Sequence, residues 1–191
     1  MIPNALAILR ERWPGLTFRL RIGMSEELMS EVISGQLDAA LIADHVAVPP
    51  SLHWTEVLTE PLIVLVPPGT GMLPFEELIR HKPYIRYRTR VPLARQIDTE
   101  IARHGIAPRQ VISVNTMSAV TGCVQAGLGF AVVPQITLRD TIPGTLDWLP
   151  FGAPPIHRRL GIVQRPVTSR IKVIDALITA LANQGTSLRD G

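Results

Sequence analysis

Residues 113–134, SVNTMSAVTGCVQAGLGFAVVP, constrain the fold more than any other stretch of this chain. Ser113 and Val114 end a strand. Asn115, Thr116 and Ser118 are residue types that cap a helix by accepting a backbone N–H. Met117, Val120, Val124 and Gly127 recur at spacings of three and four, which is one face of a helix. Gly127 is well placed as a helix stop, because glycine takes the left-handed conformation at little cost. Residues 130–133 form a short apolar run of buried-strand type, and Pro134 ends it. The stretch reads as strand, helix, strand, and it aims a helix N-terminus at something outside the unit.

The same alternation runs through the rest of the chain. Residues 3–13 carry Leu6, Leu9 and Trp13 at helical spacing, stopped by Pro14 and Gly15. Leu16, Phe18, Leu20 and Ile22 alternate with Thr17, Arg19 and Arg21, the period-two pattern of a half-buried strand. Ser25 is expected to cap the next helix, with Glu26 and Glu27 in its first turn, where the dipole favours acids. Gly35 stops that helix, and residues 37–42 form a buried strand. Helix, strand, helix, strand predicts a parallel pair with a right-handed crossover. Strands follow over 52–58 and 61–66, the second apolar throughout. Gly69 to Gly71 break the composition and mark a domain crossing. Beyond them come a helix over 75–80, a strand over 84–87, a helix over 92–104 and a strand over 111–114. After the opening unit, residues 136–140 read as one helical turn and 146–151 as a short edge segment. Residues 160–163 are an apolar strand. Ser169 caps a final helix with an apolar stripe of Ile171, Ile174, Leu177, Ile178 and Leu181. The expected class is α/β, with two Rossmann-like lobes joined by crossing strands over 62–66 and 160–163. Residues 1–67 plus 164–191 make lobe I, and 68–163 make lobe II.

In open α/β sheets, ligands bind beyond the carboxyl ends of the strands. Those ends hold Met24 and Ser25, Asp44 and His45, and Arg86, Tyr87, Arg88 and Thr89. They also hold Thr116, Met117, Leu128 and Phe130. Helix N-termini near Ser25 and near Thr116 offer free N–H groups and a positive dipole end. An arginine holds a carboxylate through two hydrogen bonds. These features point to an anionic ligand between the lobes. The bland alternative is that the arginines are solvated surface charges and the hydroxyls only cap. Strand parity lets only one of Arg86 and Tyr87 face a given side.

Several functions find little support. Hydrophobic residues make up 46% and charged residues 18%, so the chain is globular and not disordered. No apolar run approaches the roughly 18 residues that cross a membrane. The first residues lack a signal-peptide pattern, so a cytoplasmic protein with no membrane partner is expected. Cys123 is the single cysteine, which excludes an internal disulfide, and its apolar helical surroundings suit a packed thiol. The five histidines (His45, His53, His81, His104, His157) fall at unrelated places, with no HExxH or GxSxG pattern. No metal and no cofactor are expected. Gly127-Leu128-Gly129 is no dinucleotide fingerprint, since a helix precedes it and Val132 stands where the third glycine belongs. The net charge of +3 comes from scattered arginines without interleaved aromatics, which suits a solvated surface better than nucleic-acid binding. Asp44 and His45 are the one adjacent pair that an enzyme on this fold would use.

Five motifs then appear in order. Residues 2–15, ending in Trp13-Pro14-Gly15, resemble the opening helix and "YP" turn of LysR-type transcriptional regulators. Gly23-Met24-Ser25-Glu26-Glu27-Leu28 resembles that family's G-x-S-x-x-L. Gly35-Gln36-Leu37-Asp38-Ala39-Ala40-Leu41 resembles G-x-L-D-x-A-I. Glu60-Pro61-Leu62 to Pro67 resembles E-x-L-x-L-V-x-P. Residues 124–134 resemble V-A-A-G-L-G-I-A-x-L-P. The resemblance covers about residues 2–166. It implies the effector-binding domain of such a regulator, with a type 2 periplasmic-binding-protein-like fold and a small organic acid in the interlobe cleft. It also implies an antiparallel dimer, and a tetramer when full length. The segment matching the family's ligand loop is 86–93, which adds weight to Arg88 and Thr89. The family contacts DNA through an N-terminal winged helix-turn-helix with no counterpart in this sequence. The chain is therefore expected to be an excised domain or to have lost that segment. The alternative reading is a solute-binding protein of the same fold.

Overall fold

The computed structural model describes residues 1–44, 47–71, 73–88, 91–142 and 144–186. The chain divides into two compact units, Met1–Thr59 with Arg158–Gly191, and Glu60–His157. The divisions fall earlier along the chain than the 67/68 and 163/164 boundaries expected from composition. The reason is that residues 53–66 form one continuous strand and the chain changes unit inside it. Pro61 does not interrupt this strand, because Leu62 supplies the N–H that bonds Ile156 O at 2.7 Å.

Unit 1 begins with α1 (Ile2–Arg12), which has proline in its first turn and packs Ala5 and Leu9 inward. It lies against α6 (Ile171–Thr186). Helix α2 (Ser25–Ile33) packs Leu28, Met29 and Val32 on Ala40 and Ile42 of β1 (Ala39–Ala43) and Val163 of β7 (His157–Gln164). Met24, not Ser25, takes the N-cap position, without a side-chain capping bond; Ser25 is the first helical residue. Arg165 ties down the other end of α2 by donating to Val32 O and, at 3.1 Å, to Leu37 O. Strand β7 pairs antiparallel with β1, with Ala39 opposite Gln164, and has β2 (His53–Val66) as its other neighbour. Trp54 lies so close to Gly161 that an added Cβ would sit 2.2 Å from its Cε2, so only glycine fits there.

One expectation fails in this unit. Residues 16–22 join no ladder among the described residues, and Phe18, Leu20 and Ile22 are exposed, Ile22 to 92%. The predicted parallel pair across α2 therefore does not form, and β1 pairs antiparallel instead. Alternation assigns an apolar face but does not supply an element to cover it.

Unit 2 contains α3 (Phe75–His81), β3 (Tyr84–Tyr87), α4 (Pro92–Arg103), β4 (Gln110–Val114), α5 (Met117–Gln125), β5 (Ala131–Pro134), a 3-10 helix (Gln135–Asp140) and β6 (Asp147–Pro150). The second half of β2 pairs antiparallel with both β5 and β6. It is buried on both faces. Leu62, Val64 and Val66 join Phe75, Leu78, Ile97, Phe130 and Phe151, while Ile63 and Leu65 join Ile85, Val120, Val124 and Val133. That two-sided burial explains an uninterrupted apolar run. Cys123 packs at the edge of the second cluster. Glu60 is 1% exposed, and its Oε2 accepts from Ile136 N at 2.8 Å, at the start of the 3-10 helix.

The GLG segment sets the geometry of the parallel strands. Gly127 has φ +75° and ends α5, and its N–H donates to Val124 O at 2.9 Å. Gly129 has φ +152°, and an added Cβ would lie 2.1 Å from Pro83 O. That close approach lets Phe130 N reach Pro83 O at 2.9 Å and Ile85 N reach Phe130 O at 2.8 Å. Gly129→Ala is therefore expected to cost about 3 kcal/mol or more, because a collision with backbone adds to the strained φ. Gly127→Ala meets nothing within 4 Å and is expected to cost about 1 kcal/mol. Urea unfolding of the two variants measures the difference.

Candidate functional site

In unit 2, β3 and β4 run parallel, so their carboxyl ends lie side by side with Tyr87 opposite Val114. Arg88 N donates to Val114 O at 2.7 Å, which places Arg88 beside the turn that leads into α5. Thr116 is the N-cap of α5, as expected, and its Oγ1 accepts from Ala119 N at 3.2 Å. Its carbonyl accepts from Val120 N at 3.1 Å. These two bonds leave the N–H groups of Met117 and Ser118 without a partner among the described residues, at the positive end of the helix. Ser118 adds an exposed hydroxyl, 3.3 Å from Thr116 Oγ1. Arg88 is exposed and makes no ion pair among the described residues. A free cation and two free N–H groups at one sheet edge suit a carboxylate or another small oxyanion.

The neighbouring arginine is already engaged. Arg86 donates to Asp98 from Nε at 3.1 Å and from Nη2 at 2.5 Å. This bidentate bond, together with the charge of Asp98, raises its already high pKa. Tyr84 sits beneath the pair, and burial, with Asp98 nearby, pushes its phenol well above the ordinary value. Arg86 is thus a structural partner of α4 and has no free fork for a ligand. Tyr87 is half-buried and packs against both cores, as does Met117. Phe130 is fully buried, edge-on to Phe75 with ring centroids 5.9 Å apart. It has no surface to offer a ligand, so its assignment as a contact residue is corrected. Leu128, one residue past the helix stop, is 41% exposed.

In unit 1, Met24 is exposed and Ser25 half-buried at the start of α2. Asp44 is taken up by Arg159, whose Nε donates to Oδ2 at 2.8 Å. The same guanidinium stands 3.7 Å from Glu56 and 5.7 Å from the Trp54 ring centroid. The bond to Asp44 raises the pKa of Arg159 further. His45 and Thr89 lie outside the described residues. Among the described residues, no group of three or more His, Cys, Asp and Glu side chains could hold a metal ion. Neither Asp98 nor Arg159 was picked out from the sequence. Each becomes a partner only when α4 meets β3 or β7 meets β1.

A family model described as the LysR substrate binding domain matches residues 1–186. The chain belongs to that family. Among curated proteins, this LysR substrate binding domain is 26% identical over 137 residues to the HTH-type transcriptional regulator SoxR of Arthrobacter sp. (strain TE1826), covering 72% of this chain and 46% of that protein. It is 22% identical over 173 residues to the transcriptional dual regulator GltC of Bacillus subtilis (strain 168), covering 86% and 56%. The chain thus spans about half the length of the curated relatives it matches. Among solved structures, it resembles a full-length BenM mutant with a TM-score of 0.77 at 19% identity, covering 96% of this chain and 64% of that one. It resembles the reduced OxyR regulatory domain of Pseudomonas aeruginosa with a TM-score of 0.71 at 21% identity, covering 95% and 90%. The fold is the type 2 periplasmic-binding-protein-like fold of the family. Relatives that are transcriptional regulators do not favour the solute-binding alternative.

The two roles at this edge separate by stability. Thr116→Ala is expected to cost about 1 kcal/mol, the ordinary value of a lost cap, and Thr116→Ser much less. Thermal unfolding of both variants, beside Arg88→Ala with no expected loss, checks that Arg88 is not structural.

Proposed function

We propose that this chain is the effector-sensing domain of a LysR-type transcriptional regulator, and that its effector is a small organic acid. The carboxylate is held at the carboxyl ends of β3 and β4 by Arg88 and by the N-terminal N–H groups of α5. One observation carries this reading: Arg88, without an ion pair among the described residues, bonds Val114 through its backbone just before the Thr116-capped helix, while the neighbouring Arg86 is held by Asp98. Leu128, exposed one residue past the stop of α5, supplies an apolar contact within the same unit. No residue acts as a catalyst, because the site needs only to bind.

Sensing requires two states. A ligand shifts their balance only by as much as its affinities for them differ. The output passes to DNA through another part of the full-length protein, a winged helix-turn-helix, and through a homo-oligomer with antiparallel dimers. The protein works in the cytoplasm. The regulators SoxR and GltC among the relatives support this reading, and no described helix is long and apolar enough to cross a membrane.

Isothermal titration against a panel of small mono- and dicarboxylic acids tests the proposal. At least one is expected to bind, and Arg88→Ala is expected to weaken it by about 1–3 kcal/mol, the size of a charged hydrogen bond. A panel without a binder, or full affinity in Arg88→Ala, overturns the assignment.

A further inference from the structure

Unit 1 contains a groove of about 630 Å³ where the start of β2, the end of β7 and the first turns of α6 meet. Leu52, Ile171 and Ile178 supply apolar walls, and His53, Gln164 and Asp175 supply polar groups. The volume lies within the range of small-molecule sites. No lysine or arginine lines it, so Asp175 is its one formal charge. Asp175 makes no ion pair among the described residues. Gln164 is 5% exposed, and its Oε1 has no hydrogen-bond partner among the described residues. A buried acceptor without a donor is costly, and a ligand donor relieves that cost. The last torsion of glutamine is broad, so the amide turns its oxygen toward a donor with little strain.

We propose that this groove is a second ligand site, of opposite sign to the anion site at α5. It takes a small molecule with a primary ammonium group on a short apolar body. The ammonium has three donors and no acceptor. It bonds the Asp175 carboxylate and Gln164 Oε1, and the apolar body lies against Ile171 and Ile178. A carboxylate ligand meets the like charge of Asp175 and no lysine or arginine here, and is disfavoured.

Isothermal titration of the whole chain with benzylammonium chloride, beside benzyl alcohol and sodium benzoate, tests the site. Benzylammonium is expected to bind about tenfold or more tighter than benzyl alcohol, the increment of a charged hydrogen bond. Asp175→Asn, an exposed and shape-conserving change, removes that preference. Gln164→Leu weakens benzylammonium while circular dichroism stays native, since an apolar replacement removes the unpaired acceptor. Arg88→Ala leaves benzylammonium binding unchanged, which separates this site from the one at α5. Absence of benzylammonium binding, equal binding of benzyl alcohol, or full affinity in Asp175→Asn overturns the proposal.

Discussion

The five residues from Leu62 to Val66 hold unit 2 together. They alternate as any strand does, but both of their faces are buried, so each side chain faces a different core from its neighbour. Each such burial contributes about 2 kcal/mol. The strand also carries the backbone ladders to β5 and β6, and Leu62 bonds both Ile156 and Phe151. Just before this run, Glu60 reaches inside and accepts the N–H of Ile136, the second residue of the 3-10 helix after β5. A carboxylate buried to that degree is tolerated because a helix N-terminus is its partner. The Glu60-Pro61-Leu62 segment thus has a physical reading: the acid anchors the 3-10 helix that follows β5, and the apolar run fills the two cores.

Around that strand, the functional edge is built by a division of labour among similar groups. Arg86 and Arg88 are two residues apart, yet one is a structural ion pair and the other makes no ion pair among the described residues. Strand parity sends Arg86 toward α4, where Asp98 waits, and the backbone N–H of Arg88 bonds Val114, two residues before the cap of α5. Gly129 matters for the same edge. By letting Phe130 approach the Pro83 carbonyl, it aligns β5 with β3, and β3 with β4. The glycine pair is therefore a device for helix termination and strand approach, and it makes no use of phosphate chemistry.

Much of the fold was legible. Helices α1, α3, α4, α5 and α6 lie where periodicity and the stop at Gly127 put them. Strands β3 and β5 are where short apolar runs and Pro134 predicted them. Residues 16–22 were misread for a physical reason. Alternation reports that a segment has one apolar face, but strand formation needs a hydrogen-bonding neighbour, and no described element provides one. Ser25 was misjudged by one position, because capping residue types and the helix boundary do not coincide there. In the site, Thr116 was legible, since a cap is a local interaction. Phe130, Arg86 and Asp44 were not, since their partners Phe75, Asp98 and Arg159 are distant in sequence.

The sequence by itself determined the α/β alternation, the helix stops, the cap of α5 and the membership of the LysR substrate binding domain family. These depend on interactions within a few residues, or on motifs that survive as strings. Only the tertiary structure decided that Asp98 engages Arg86 and not Arg88, that Gly129 answers to Pro83, that Glu60 serves the 3-10 helix, and that the buried oxygen of Gln164, a residue lining the groove, has no partner among the described residues. Those facts depend on which side chains meet across tens of residues of chain. A linear pattern carries no record of such encounters.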